Sequence, residues 1–139
     1  MMNWLKGQKT VTLKFYSLEE IAELLRDEGY RKVEMTDFFG TEMVRVSIDG
    51  RKILIGQEDN GDLQLMEILT GVPNSSEAMN EINVNVRGLK AHQNELLTFL
   101  SITLFVVEGY GISKEHILQM LKKFLGCCGA AGRILIKYA

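Results

Sequence analysis

The apolar positions of this chain first repeat with the period of a helix. Leu18, Ile21, Leu24 and Leu25 recur three and four residues apart and share one face. Ser17-Leu18-Glu19-Glu20 precedes them as a capping box, in which the Ser17 hydroxyl accepts from the Glu20 N–H and the Glu20 carboxylate accepts from the Ser17 N–H. Gly29 supplies a left-handed stop. The pattern predicts a first helix over Leu18–Glu28. The period then falls to two. Val33, Met35 and Asp37 share one side of an extended segment, and Val44, Val46 and Ile48 alternate with Met43, Arg45 and Ser47. Asp49-Gly50 and Asn60-Gly61 are hairpin dipeptides. They bracket the short apolar run Ile53–Ile55 and precede a further strand over Leu63–Leu69. The prediction is an antiparallel meander.

Gly71-Val72-Pro73-Asn74, with the only proline, breaks the meander. Asn74 and Glu77 form a capping pair ahead of a second helix running to about Val84. Leu89–His92 reads as a short strand turned at Gln93-Asn94. Leu96–Val107 is an uncharged run with β-branched and aromatic residues on both faces, the pattern of a central strand. After Gly109-Tyr110-Gly111, Ser113 caps a third helix with Ile117, Met120, Leu121, Phe124 and Leu125 on one face and Gly126 at its end. The tail reads as a Gly/Ala bend followed by one extra strand at Arg133–Ile136. Met1–Thr10 reads as a loose lead, with Trp4 and Leu5 packed on the domain edge. The expected fold class is α+β, an antiparallel β-sheet packed with helices in the order α-β-β-β-α-β-β-α. The expected organisation is a single domain over 1–139, with its core at about 17–125 and a C-terminal extension at 126–139.

Composition narrows the function classes. The 139 residues are 46% hydrophobic and 24% charged, ordinary values for a globular chain large enough to fold without staples. The formal net charge is −2, and Lys and Arg are mixed with Asp and Glu. The pairs Arg31–Lys32 and Lys122–Lys123 read as solvated corners, so no nucleic-acid partner is expected. The two cysteines, Cys127 and Cys128, are neighbours and cannot form a loop-closing framework. A reducing, cytoplasmic location is the expectation, since Met1–Thr10 has no apolar signal core. Leu96–Val107 falls short of the roughly 18 apolar residues of a membrane span, so no membrane association is expected.

The chemistry-bearing residues do not assemble into a catalytic set. His92 and His116 lack companions at zinc-ligand spacing. Along a helix, His116 and Cys127 would stand roughly 16 Å apart. Gly126-Cys127-Cys128-Gly129-Ala130-Ala131-Gly132 follows a helix and lacks the Lys-Ser/Thr ending of a phosphate loop. It reads as a flexible bend, with the cysteines as packing residues. Ser75 and Ser76 are explained by a helix cap. Glu19, Glu20, Glu23, Asp27 and Glu28 form the solvated face of the first helix. No enzyme activity, cofactor or metal is expected.

Two sets of residues stand out as binding candidates. Asn80 and Asn83 lie on adjacent turns of the second helix. Their amides either fix the neighbouring strand, the favoured reading, or grip a partner or ligand. Met35, Met43 and Met66 cannot all face one core if the strands alternate. Met43, Met66 and Ile68 are then expected on the outer face of the sheet, as an exposed apolar patch that marks an interface.

The residues in this order resemble the YbjN family, which is similar in fold to the type III secretion chaperones. The likeness rests on the first helix ending in Asp27-Glu28-Gly29-Tyr30 and the turn at Ile48-Asp49-Gly50. It also rests on the helix segment Met79-Asn80-Glu81-Ile82-Asn83, the long apolar strand, and Gly111-Ile112-Ser113-Lys114-Glu115 opening the last helix. It spans Ser17 to Leu125. The resemblance implies a non-enzymatic protein-binding or regulatory domain, often a homodimer, with an unidentified protein partner. The alternative is a small-molecule or nucleotide sensor of the same fold, with its pocket near Asn80 and Asn83.

Overall fold

The computed structural model describes residues 11–139, so the reading of Trp4 and Leu5 lies outside them. Along the chain run β1 (Leu13–Lys14), α1 (Leu18–Asp27), β2 (Val33–Phe38), β3 (Thr41–Ile48), β4 (Arg51–Gln57) and β5 (Leu63–Thr70). They are followed by α2 (Ser76–Asn85), β6 (Lys90–Asn94), β7 (Leu97–Leu104), β8 (Ile112–Ser113) and α3 (Lys114–Lys137). The fold is α+β, with a six-stranded antiparallel sheet ordered β2-β3-β4-β5-β7-β6 and a separate β1-β8 pair. Four strands rather than three separate α1 from α2. The sequence left the turn between β2 and β3 unmarked because it is made by Phe39, an unusual residue at positive φ (+49°), with Gly40. Asp37 accepts from the Gly40 N–H at 3.2 Å and closes it.

The capping box of α1 forms as read, with Ser17 Oγ 3.1 Å from the Glu20 nitrogen and Glu20 Oε1 3.0 Å from the Ser17 nitrogen. Asp49 and Gly50 both take positive φ, the geometry that matches a two-residue turn to twisted strands. Two boundaries differ from expectation. Ser75, not Asn74, caps α2, its hydroxyl accepting from the Ala78 N–H at 3.0 Å. The β6–β7 turn falls at Glu95-Leu96, beyond Gln93-Asn94, because Glu95 takes the left-handed conformation. Gln93 is held elsewhere: its amide accepts from the Ser75 N–H and donates to the Pro73 carbonyl and the Thr98 hydroxyl.

The core lies between one face of the sheet and the helices. Val44, Val46, Ile53, Ile55, Leu65 and Leu100 project from the strands and meet Ile21, Leu25, Ile82, Ile117, Leu121 and Phe124, all fully buried. Each such side chain contributes roughly 1.5–3 kcal/mol relative to exposure.

The largest correction concerns the tail. α3 does not stop at Gly126. It runs 24 residues, and its buried positions continue as Ile117, Leu121, Phe124, Cys128, Ala131 and Ile134. The flexible bend and the extra strand at Arg133–Ile136 are both helix, and Cys128, Ala131 and Ile134 of the extension 126–139 pack in the core. Each glycine in a helix interior costs about 1 kcal/mol relative to alanine. The unbroken helical period of Cys128, Ala131 and Ile134 offsets that cost through burial. Beneath this half of α3, Arg51 Nη1 reaches both oxygens of Glu67 at 2.8 and 3.0 Å, and Glu67 is 4% exposed. Burial, with the Glu67 charge beside it, pushes the Cys128 thiol up to about 12. Cys128 is therefore a protonated packing residue. The far end of α3 is tied to α2, where Glu81 accepts from Lys137 and, at 2.7 Å, from the Tyr138 hydroxyl.

Candidate partner-binding surface

Alternation along the strands gives the sheet a second face. The register sets Thr36 opposite Met43, Arg45 opposite Leu54, Leu54 opposite Met66, and Ile68 opposite Phe99. These positions point away from the helices, and Met43, Leu54 and Met66 form a second apolar cluster with Phe38, Ile68 and Phe99 packed against it. No helix residue belongs to that cluster among the described residues. Met43 lies across Gly56, where an added Cβ would stand 3.4 Å from the Met43 methyl carbon, in ordinary contact with it. His92 stacks on Phe99 with ring centroids 4.8 Å apart and planes 7° from parallel. The Arg45–Glu34 ion pair and Lys52 add charge to the same face.

The three residues read from the sequence as an outer patch do come together on this face. Their exposure differs from expectation. Met43 and Met66 are only 9% and 8% exposed. Ile68, Phe38 and Phe99 are half-buried and form the accessible part. Sequence reading missed Leu54, Phe38 and Phe99. A signal for Leu54 was present, since a two-residue turn at Asp49-Gly50 pairs Ile48 with Arg51 and so puts Leu54 on the Met43 side.

Asn80 and Asn83 lie elsewhere, on α2 beside the edge strand β6. Asn83 donates to the Ala91 carbonyl at 2.9 Å and accepts from the Ala91 N–H at 2.8 Å. Its amide imitates a neighbouring strand and satisfies both backbone groups of Ala91, which is the structural role favoured from the sequence. Asn80 is exposed at the mouth of a cavity of about 440 Å³ between α2 and β6. Both polar groups of Asn83 are engaged with Ala91, and Ser76, Asn80 and His92 also line that cavity. Among the described residues no three of His, Cys, Asp and Glu converge as metal ligands, and no helix is long and apolar enough to cross a membrane.

No family model matches the chain, and no curated protein matches it. Among solved structures, the chain is similar to an uncharacterised protein from Methanothermobacter thermautotrophicus, with a TM-score of 0.60 and 14% identity over 88% of this chain and 99% of that one. At that identity the likeness is one of fold.

Proposed function

We propose that this chain is a non-enzymatic protein-binding or regulatory domain of the YbjN, type III secretion chaperone-like kind, and that it works as a homodimer joined through the outer face of its sheet. The observation that carries the reading is the apolar cluster of Met43, Leu54 and Met66 on the face that no described helix packs against. Six strands of up to eight residues make a face roughly 25 Å on each side. That is the scale of one partner's share in a standard interface. A second copy would cover Ile68, Phe38 and Phe99 and extend the buried cluster across the contact.

Light scattering at micromolar concentration tests this. The expected mass is twice the 15.7 kDa of one chain. The double variant Ile68→Lys/Phe99→Glu is expected to fall to one chain while keeping its thermal unfolding. These two positions are chosen because they are half-buried, whereas a charge at Met66 would enter a closed cluster and risk unfolding. A wild-type mass of one chain, or a variant that stays dimeric, removes the outer face from the reading.

A further inference from the structure

β7 outruns its neighbour at the edge of the sheet. β6 pairs with it from Asn94↔Leu97 to Lys90↔Ser101. Two residues further in that register Gly88 would stand opposite Thr103, but Gly88 takes a φ of +80° and the chain turns away towards α2. Hydrogen bonding in an antiparallel ladder alternates. Ala91 gives its N–H and C=O outward to Asn83, so the Ala91–Leu100 pair is not bonded within the ladder. The bonded parity then falls on Phe99, Ser101 and Thr103. Thr103 therefore turns its N–H and C=O into the open lane beyond Lys90.

A groove of about 820 Å³ occupies that step. Its apolar wall is Ile102, Phe105, Met120, Phe124 and Cys127, and Arg87, Lys90 and Lys123 stand on its rim. No Asp or Glu lines it. Each of the three cations is exposed, and none takes part in an ion pair among the described residues. In a chain of net charge −2, three uncompensated cations around an apolar wall select for a negative charge attached to an apolar body. Small-ligand sites commonly have volumes of about 300–1,000 Å³ and few, convergent polar groups. A polyanion would instead call for a longer basic track.

We propose that this groove binds an amphiphilic organic anion. The carboxylate takes Arg87, Lys90 and Lys123, with the Thr103 N–H as a fixed donor, and an alkyl or aryl body lies along Phe105, Ile102 and Met120. The site goes beyond the protein-binding reading and uses none of the apolar cluster that carries it. The two are told apart by their readouts, chain mass for one and ligand response for the other.

The test titrates decanoate, below its micelle threshold, against ¹⁵N-labelled protein, with decanol and decylammonium as the neutral and cationic counterparts. Decanoate is expected to give saturable shifts at the Gly88, Thr103 and Lys123 amides. It should also slow alkylation of Cys127 by iodoacetamide several-fold, with fully buried Cys128 as the internal control. Arg87→Glu/Lys123→Glu, at two exposed positions, is expected to weaken decanoate about tenfold while leaving the unfolding curve in place. Decanol binding as tightly as decanoate, shifts gathered at His92 and Phe99, or no saturable response would each overturn the proposal. So would an acidic Glu/Leu peptide that shifts these amides where decanoate does not.

Discussion

On β4, Ile55 and Leu54 are chain neighbours facing opposite sides of one sheet. Ile55 is fully buried among the helix residues of the main core, whereas Leu54 is 9% exposed and sits in a cluster of three buried side chains. The inner face is closed by elements the chain itself supplies. The outer face is closed mainly by its own side chains, with Met43 folded over Gly56 and Phe99 under His92. Low exposure therefore has two different origins here. An inner residue is held by packing from a second layer, and an outer residue by neighbours that can themselves move. Only the second kind is suited to becoming a contact surface without refolding the domain.

The sharpest way to break this comparison is to truncate the two neighbours. Ile55→Ala is expected to cost about 4 kcal/mol and Leu54→Ala about 2 kcal/mol, because a cavity under α1 cannot collapse whereas one on the outer face can. Urea midpoints measure both, and equal losses would mean that the outer cluster is core. The adjacent pair Arg51 and Lys52 repeats the contrast for charge. Arg51→Met leaves the buried Glu67 carboxylate uncompensated and is expected to cost about 3 kcal/mol, while Lys52→Met on the outer face stays within about 0.5 kcal/mol. Thermal unfolding of the two variants checks this. The third and mildest of these contrasts belongs to the sheet edge. Asn83→Ala removes two hydrogen bonds from Ala91 and is expected to cost about 1–2 kcal/mol, with faster exchange of the Ala91 amide. Asn80→Ala, at a position with no such bond, is expected to change neither.

Much of the meander was legible because its signals are local. Asp49-Gly50 sets a register, and Ser17 with Glu20 sets a helix start. The errors arose where local chemistry was overruled. Gly126, Gly129 and Gly132 read as a helix end, yet burial of Cys128, Ala131 and Ile134 carries α3 through them. Phe39 gave no turn signal because a bulky aromatic rarely takes positive φ. The outer positions of Met43, Met66 and Ile68 followed from alternation alone, but their closure did not, since it depends on Leu54 and Phe99 arriving from other strands. The cations of the β7 groove were invisible for the same reason. Arg87 comes from the α2–β6 connection, Lys90 from the start of β6 and Lys123 from α3, where it read as half of a solvated corner.

Gly111 has a consequence for the order in which the fold can assemble. A Cβ there would stand 2.1 Å from the Lys14 carbonyl oxygen, so the backbone of the β1–β8 pair runs in direct contact with this residue. That pair joins Leu13 to Ser113, and Ser113 is also the cap of α3. Closing so long a loop carries an entropic cost that only nearby, already formed structure can offset. The clasp should therefore be a late event in folding, forming after the hairpins of the meander. During synthesis, the first strand must wait for nearly the whole domain before it finds its partner.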